Sequence, residues 1–275
     1  MSTSLENELA FARRIAREAG ERVLGLRESG RWTEPTIVGD VGDQAADAYL
    51  QGSIRAAFPD DGLLSEETKD DPSRTRKSRT WIVDPLDGTK EFRTGRVDWA
   101  VHVALVIDGE PALGVVALPS LGLTLWGTCV EGEPKQHGFD GVPEDGTSTL
   151  LLGDSATPGA MRLVCSRSHT PEWMEDFAKT LGEHELVPVG SVGYKASRLL
   201  LGEADAYVHK TGVKEWDTCA PECVALALGW HVSRLNGDKQ VYNQANPRND
   251  ELLICRPADA ERIKAALRES GVVEG

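Results

Sequence analysis

The chain has 275 residues, with 44 acidic and 30 basic side chains and a formal net charge of −14. This charge argues against a general nucleic-acid binder, although an acidic protein can bind phosphorylated small molecules where cations reverse the charge locally. The sequence contains no run of about 18 apolar residues, so we expect no membrane-spanning segment. The first residues show no basic region followed by an apolar one, so we predict no signal peptide.

The cysteines indicate a cellular compartment. Their number is odd, they are scattered, and they form no close pairs of the metal-binding type, so we predict reduced, mostly buried thiols of a cytoplasmic protein. Cys219 and Cys223 lie four residues apart on one predicted helical face. A redox-active pair is the alternative there to two small buried residues. The five cysteines are Cys129, Cys165, Cys219, Cys223 and Cys255.

The first half of the chain predicts two helices and then an antiparallel meander. Thr3 and Glu6 resemble a capping box, and apolar residues at helical spacing from Leu5 to Leu26 predict a first helix. A second helix is predicted over residues 43–58, since Pro59 would stop it. Strands are predicted at residues 63–64, 81–83, 99–107, 112–118 and 123–130.

A polar segment divides the chain. Residues 131–158 are rich in Gly, Pro, Asp and Ser, which predicts a long surface loop and a domain junction. We therefore predict an N-terminal α+β subdomain over residues 1–158 and a C-terminal α/β subdomain over residues 159–275, because short apolar runs alternate with helical patterns in the second part. Its strands are predicted at residues 163–165, 186–189, 206–208, 230–234 and 252–255, and its helices at residues 172–181, 195–201, 217–228 and from residue 258.

The most informative motif is WIVDPLDGTKEF at residues 81–92. Its apolar run ends in two carboxylates, Asp84 and Asp87, and proline cannot extend a central strand, so we predict a turn that leaves both acids at a strand end. Oxygen-rich clusters of this kind suit Mg²⁺, and the amide groups around Gly88 and Thr89 can hold an anion. Taken alone, the motif also fits an Asp-rich surface turn.

Three further acidic sites can join this turn. Glu66 and Glu67 follow the preceding predicted strand, and the alternative there is a solvated strand end. Asp217 stands just before an apolar helix, and Asp43 precedes the second predicted helix. Either of these two aspartates could instead serve only as a helix cap.

These motifs occur together in one family. The sequences LSEE at residues 64–67, WIVDPLDGTKEF at residues 81–92 and EWD at residues 215–217 have the same order and similar spacing in the lithium-sensitive, inositol monophosphatase-like Mg²⁺ phosphatases. The chain resembles this family through nearly its whole length. The resemblance implies a layered αβαβα sandwich, of class α+β or α/β, that binds two or three Mg²⁺ ions.

Within the family, the chain resembles the CysQ branch, the 3′(2′),5′-bisphosphate nucleotidases. The sequence KEF at residues 90–92 is typical of that branch, whereas the inositol branch shows Thr-Asn-Phe there. The sequence CSRSH at residues 165–169 and the pattern GSxxxK at residues 190–195 are similar to CysQ as well. The sequence APEC at residues 220–223 departs from the Ala-Ala-Gly that is common after the Trp-Asp pair.

The resemblance implies roles for individual residues. Asp43 and Thr89 would position the attacking water for in-line hydrolysis of a phosphate monoester, with Glu66 as a further catalytic group. Glu67 would support the ligands without binding a metal. The implied metal ligands are the carboxylates of Glu66, Asp84, Asp87 and Asp217 and the backbone carbonyl of Leu86.

Substrate contacts follow from the same resemblance. The backbone amides of Gly88 and Thr89 would bind the reacting phosphate. A second phosphate needs further cationic or amide donors, for which Lys195 and the loop that begins at Ser166 are candidates. The implied substrate-binding residues are Gly88, Thr89, Ser166, Ser191, Lys195 and Asp217.

The expected function is therefore a cytoplasmic phosphatase, linked to sulfate assimilation, that removes the 3′-phosphate from adenosine 3′,5′-bisphosphate (PAP) or its sulfated form (PAPS). Its partner is a phosphorylated small molecule, with no nucleic acid and no membrane, and a homodimer is a family-level expectation. One alternative is an inositol 1-phosphate or fructose 1,6-bisphosphate phosphatase of the same fold. Another is a metal-dependent binding protein without turnover.

Overall fold

The structure is a computed structural model that describes residues 5–141, 149–153, 157, 159–168 and 170–273. Thr3 of the expected capping box and His169 of the CSRSH sequence lie outside these residues. Within the described ranges, no helix is both long enough and apolar enough to cross a membrane.

The described residues contain seven α-helices and eleven strands. The helices are α1 (Glu6–Glu28), α2 (Pro35–Ala57), α3 (Thr89–Arg93), α4 (Trp173–Leu181), α5 (Val192–Leu200), α6 (Glu215–Ala227) and α7 (Ala260–Glu269). The strands are β1 (Gly62–Ser65), β2 (Arg79–Asp87), β3 (Ala100–Ile107), β4 (Glu110–Leu118), β5 (Leu123–Thr128), β6 (His137–Asp140), β7 (Met161–Ser166), β8 (His184–Val189), β9 (Ala206–His209), β10 (His231–Ser233) and β11 (Leu252–Cys255).

Two sheets divide these strands. The first has the order β1-β2-β3-β4-β5-β6, in which β1 and β2 are parallel and the remaining neighbours are antiparallel. This confirms the predicted meander. The second sheet has the order β10-β11-β9-β7-β8, with β7 parallel to both β8 and β9. The predicted boundary between residues 158 and 159 falls between β6 and β7, and the division into two subdomains stays a prediction.

Three apolar cores hold five layers together. The first lies between α1, α2 and one face of the six-stranded sheet and contains Ile15 and Leu50. The second lies between the two sheets, where α5 and α6 form the middle layer, and contains Leu199. The third lies between the five-stranded sheet and helices α4 and α7 and contains Phe177 and Ile263. The order of layers is αβαβα, as the resemblance implied.

The second helix begins earlier than predicted. It starts at Pro35 and not near Asp43, because proline suits the first turn of a helix and Glu34 before it is extended. Gly39 and Gly42 follow within the first turns, and their low helix propensity conceals this segment in the sequence. Asp43 is therefore an interior residue of α2, so the alternative in which it caps the helix is wrong.

The strand that carries the Asp-Pro-Leu-Asp motif was predicted to stop before Pro85. It instead continues to Asp87. The register between β2 and β3 advances by three residues on β2, from Asp84 to Asp87, and by two on β3, from His102 to Ala100. One extra residue on β2 makes this a β-bulge, which gives Pro85 an irregular position in the ladder. The bulge turns the backbone where the sequence predicted a turn.

The segment predicted as a long loop is in part a strand, because β6 pairs with β5, with Leu125 opposite Phe139. Residues 142–148, 154–156 and 158 of that segment lie outside the described residues.

The cysteines differ from the prediction in one respect. Cys129, just after β5, and Cys223, on α6, form a disulfide with a Cα–Cα distance of 5.8 Å, so these two are not reduced thiols. Spacing in the sequence could not show this pair, because 94 positions separate the two residues. Cys219 lies one helical turn away as a buried free thiol, together with Cys165 and Cys255. Both cysteines of α6 are buried, and the alternative of a redox-active pair between Cys219 and Cys223 is wrong.

Candidate active site and metal centre

Strand pairing brings the first acidic residues together. β1 and β2 run in parallel with Ser65 opposite Val83, so Glu66 and Asp84 both follow directly at the same edge of the sheet. α6 packs on this sheet, and its first turn carries Asp217. The ends of two neighbouring parallel strands and the start of a helix therefore meet at one place. The acidic motif is thus not an isolated surface turn.

Three aspartates form a cluster that could hold a metal ion. Carboxylate oxygens of Asp84, Asp87 and Asp217 all lie within 4.8 Å of one another. Asp84 is 1% exposed, and one of its oxygens, Oδ1, accepts a hydrogen bond from the amide of Leu86 at 3.1 Å. Its other oxygen, Oδ2, is buried and has no hydrogen-bond partner in the part of the chain that the structure describes. A buried carboxylate oxygen with no donor fits a cation, because leaving it unpaired is costly.

The same cluster raises the pKa of Asp84. Burial has the largest effect, and repulsion from Glu66 and Asp87 adds to it, so the carboxyl holds its proton well above its ordinary range. Glu66 is exposed at the end of β1, yet partial burial among these carboxylates and repulsion from Glu67 raise its pKa to about 7. All donors in this cluster are oxygens, which is the donor set that Mg²⁺ prefers.

Asp87 is held differently from its neighbours. Its Oδ2 accepts hydrogen bonds from the Ser191 hydroxyl at 2.7 Å and from the amide of Gly193 at 2.6 Å, and its Oδ1 accepts one from the amide of Val192 at 3.1 Å. Burial would raise the pKa of Asp87, but these donors and His102 lower it to about 2. The carboxylate therefore sits charged at the N-terminus of α5.

Asp217 lies in the first turn of α6 and takes part in its capping box. It is not the N-cap of α6, which is Lys214, but its Oδ2 accepts a hydrogen bond from the Lys214 amide at 2.6 Å in a capping box. Burial, followed by repulsion from Asp87, raises the pKa of Asp217 to about 7. The alternative in which Asp217 is the N-cap of α6 is therefore wrong, and its role as a metal ligand stays a prediction.

The predicted water-positioning pair also lies together. The hydroxyl of Thr89, the first residue of α3, lies 3.3 Å from Oδ1 of Asp43 and 3.2 Å from the carbonyl oxygen of Leu86. Asp43 is buried, and burial together with repulsion from Glu67 raises its pKa to about 7. Glu67 itself is exposed beside the cluster, and its pKa is also raised by burial and by the acidic residues around it.

Gly88 precedes α3 with a φ of +94°, a conformation that favours glycine. It also packs closely, since a β-carbon at this position would lie 3.0 Å from Cβ of Ser191. The amides that follow start a helix, where N–H groups have no acceptor within the helix. The backbone amides at Gly88 and Thr89 therefore lie at a helix start, and anion binding by them stays a prediction.

A cavity of about 290 Å³ lies between the ends of β7 and β9 and the start of α4. Lys195 of α5 is 5% exposed and lines it, with its Nζ 5.4 Å from the ring centroid of Tyr207. Burial lowers the pKa of Lys195, and the carboxylates of Asp87 and Glu91 offset this effect only in part, so the pKa stays below its ordinary value. Further lining residues are Ser166, Pro171, Trp173, Tyr207 and Lys210.

Ser191 occupies a strained position. Its φ is +42°, which is uncommon for a residue other than glycine. Its hydroxyl donates to Asp87 and accepts a hydrogen bond from the amide of Tyr194 at 3.0 Å. Ser191 thus supports Asp87 in this structure, and its predicted contact with substrate stays a prediction.

His102 on β3 is a further site residue that was not predicted from the sequence. Its ring is fully buried, with Nε2 3.2 Å from Oδ2 of Asp87 and Nδ1 3.0 Å from the carbonyl oxygen of Trp216. Burial lowers the pKa of His102, but Asp87 and the other acceptors outweigh it and raise the pKa. The available signal was a lone histidine inside the apolar strand sequence AVHVALVI.

Comparisons with known proteins show the family of this chain. The model of the inositol monophosphatase family matches residues 4–271. The chain is 37% identical over 272 residues to the 3′-phosphoadenosine 5′-phosphate phosphatase of Mycobacterium leprae, covering 95% of this chain and 94% of that protein. It is 32% identical over 239 residues to the 3′(2′),5′-bisphosphate nucleotidase CysQ of Salmonella typhimurium, covering 83% and 91%.

Solved structures show the same fold. The crystal structure of CysQ from Bacteroides thetaiotaomicron superposes with a TM-score of 0.75 at 27% identity, covering 93% of this chain and 99% of that one. Inositol monophosphatase II from Staphylococcus aureus superposes with a TM-score of 0.76 at 20% identity, covering 95% of each chain, and supports the fold alone. Sequence, fold and acidic cluster agree, and the chain belongs to the inositol monophosphatase family.

Proposed function

We propose that the protein is a Mg²⁺-dependent phosphatase that removes the 3′-phosphate from adenosine 3′,5′-bisphosphate or its sulfated form. The observation that supports this chemistry is the cluster of buried Asp84 and Asp87 with half-buried Asp217, in which Oδ2 of Asp84 has no hydrogen-bond partner among the described residues. The choice of substrate rests on the relatives that are named 3′-phosphoadenosine 5′-phosphate phosphatases.

The metal would be held by the oxygen donors of the cluster. We assign Asp84, Asp87, Asp217 and Glu66 as carboxylate ligands and Leu86 as a carbonyl ligand, for two or three ions. When bound, Mg²⁺ would make a water molecule more acidic and offset charge on the phosphate. Glu67 would tune this set through its charge, since it already raises the pKa of Glu66 and Asp43.

The chain's own residues would orient water and phosphate. The Thr89 hydroxyl can donate its proton to Asp43 Oδ1 while its oxygen accepts one from the attacking water, which directs a lone pair of that water at phosphorus. Asp43, with a pKa of about 7, can take up a proton near neutral pH. The amides of Gly88 and Thr89 would receive the phosphate oxygens.

The cavity beside Lys195 supports a bisphosphate over a monophosphate. Lys195 is buried, lines this cavity together with Ser166 and Lys210, and interacts electrostatically with Asp87 and Asp217, so we assign it to the second phosphate. An inositol monophosphate has no second phosphate to place there. This argument favours the nucleotide bisphosphate over the inositol substrate of the same fold.

The test is phosphate release from a panel of substrates. Adenosine 3′,5′-bisphosphate, inositol 1-phosphate and fructose 1,6-bisphosphate are compared with Mg²⁺, with EDTA and with Li⁺. Activity should require Mg²⁺ and disappear in Asp84→Asn, while the exposed control Asp176→Asn on α4 should keep it. Activity that survives chelation would refute the metal mechanism, and a preference for inositol 1-phosphate would refute the substrate.

A second comparison tests the role of Lys195. Lys195→Met should raise KM for adenosine 3′,5′-bisphosphate by about tenfold or more, because a charge-assisted contact is lost. It should change KM for adenosine 3′-monophosphate little, and Lys179→Met, an exposed control on α4, should change neither. Equal effects on both substrates would remove Lys195 from the second phosphate site. The cytoplasmic location and the homodimer also stay predictions, and light scattering measures the latter.

A further inference from the structure

We propose that His102 is a positioning residue that ties two metal-ligand segments of the site together. It would link the bulge that carries Asp87 to the first turn of α6, which carries Asp217. The proposal rests on the metal site of the proposed function. It assigns a role to a side chain that lies outside the acidic motifs of the sequence and outside the acidic cluster.

The position of His102 in the sheet places it under the cluster. It lies on β3 directly opposite Asp84 of β2, where antiparallel neighbours point to the same face of the sheet. α6 packs across that same face. His102 therefore stands between the strand that bears two of the aspartates and the helix that bears the third.

Each ring nitrogen faces a different ligand segment. Nδ1 lies 3.0 Å from the carbonyl oxygen of Trp216, the residue before Asp217, and Nε2 lies 3.2 Å from Oδ2 of Asp87. The Nε2 contact lies within ion-pair distance but is not aligned as a hydrogen bond. The imidazole thus contacts both segments at once.

The surroundings are shaped for this side chain. A β-carbon on Gly193 would lie 2.0 Å from Nε2 of His102, so only glycine leaves room for the ring. The amide of the same glycine donates to Oδ2 of Asp87 at 2.6 Å. Gly193 thus serves the contact twice, by giving space to the imidazole and by holding its partner.

These contacts decide which oxygen of Asp87 remains for a cation. Oδ2 is surrounded by the Ser191 hydroxyl, the Gly193 amide and His102, whereas Oδ1 accepts only the longer hydrogen bond from Val192. A carboxylate oxygen has about two lone-pair sites, so the free capacity lies on Oδ1. His102 would keep the carboxylate in this orientation, as outer partners of metal ligands do elsewhere.

Direct Mg²⁺ binding tests the proposal by calorimetry. In His102→Asn the amide nitrogen replaces Nδ1, in His102→Gln it replaces Nε2, and His102→Ala keeps neither contact. Each variant should raise the Mg²⁺ dissociation constant, by about 10- to 100-fold in the alanine variant. kcat should recover in part at high Mg²⁺ while KM for the nucleotide changes little. His231→Asn, a half-buried histidine on β10, is the matched control.

A double-mutant cycle adds a readout that a general loss of packing would not give. Gly193→Ala should weaken Mg²⁺ binding with His102 present, because the new methyl group displaces the ring. In the His102→Ala background the same change should cost much less, since the ring is gone. Additive effects in the cycle, or unchanged dissociation constants in folded variants, would overturn the proposal.

A measurement on the wild-type protein covers the case in which these variants do not fold. The ring ¹⁵N resonances of His102 should shift as Mg²⁺ is added, while those of His231 should not. A stationary His102 signal during Mg²⁺ saturation would overturn the proposal. A wild-type protein that binds no Mg²⁺ would instead refute the proposed function, so the two failures are distinguishable.

Discussion

Glu222 provides a stability prediction that does not depend on the metal site. It lies on α6 and is 6% exposed, and its Oε2 accepts a hydrogen bond from the Tyr242 hydroxyl at 2.6 Å. It belongs to the sequence APEC that departs from the family pattern. Burial outweighs the hydrogen bond and raises the pKa of Glu222 from 4.5 to about 7.

The size and sign of the effect follow from this pKa. A carboxyl whose pKa is higher in the folded than in the unfolded state destabilises the fold as the pH rises between the two values. The change from 4.5 to about 7 corresponds to about 3 kcal/mol, at roughly 1.4 kcal/mol per pKa unit. The penalty is nearly absent at pH 4 and complete above pH 7.

Glu222→Gln removes the charge and keeps an oxygen for the Tyr242 hydroxyl. Its free energy of unfolding relative to wild type should therefore rise by about 3 kcal/mol between pH 4 and pH 8, measured by urea unfolding in EDTA. The acidic cluster is common to both proteins and cancels. Glu175→Gln, an exposed control on α4, should change stability by less than about 0.5 kcal/mol at either pH. A pH-independent difference for Glu222→Gln would refute the reasoning.

Three further predictions concern the site and the disulfide. Asp84→Asn should unfold at a higher temperature than wild type in EDTA, because a buried acidic group with one unpaired oxygen is removed, and it should lose the stabilisation by Mg²⁺. A lower melting temperature of the variant in EDTA would contradict this. Thr89→Val should lower kcat by about 10²- to 10⁴-fold with little change in KM, since the hydroxyl that links the attacking water to Asp43 is lost. A rise in KM as large as the fall in kcat would instead assign the Thr89 side chain to substrate binding. Reduction of Cys129–Cys223 should lower the free energy of unfolding by about 2–4 kcal/mol, because the bond closes a long loop. Alkylation of the unreduced, denatured protein should label three cysteines, and five labels would disprove the bond.

The sequence predicted the parts of the fold that depend on local pattern. Alternating strands and helices and the meander were confirmed because apolar periodicity and turn residues report directly on them. The turn predicted at Pro85 is instead a β-bulge within β2. The start of α2 was mislocated, since Pro35 begins a helix whose glycines hide its period. The strand β6 was missed because its residues HGFD are half-exposed and lack an apolar pattern.

The site was predicted where residue type alone indicates chemistry. Asp84, Asp87 and Asp217 were found as carboxylates at element ends, and the structure brings them together. His102 and the Cys129–Cys223 disulfide were not found, because each depends on contacts between residues far apart in the chain. Their assignment needed the register of β3 against β2 and the packing of α6 on the sheet.

The raised pKa values of the cluster have a consequence for the energetics of metal uptake. Near pH 6 the carboxyls of Asp43, Glu66 and Asp217, with pKa values of about 7, are mostly protonated while no cation is bound. Binding of Mg²⁺ must then release protons to the solution. Asp87, with a pKa of about 2, releases none. The heat of Mg²⁺ binding at pH 6 should therefore differ between buffers of high and low ionisation enthalpy, and the apparent affinity should rise from pH 6 to pH 8. Equal heats in both buffers would contradict this exchange of protons for metal.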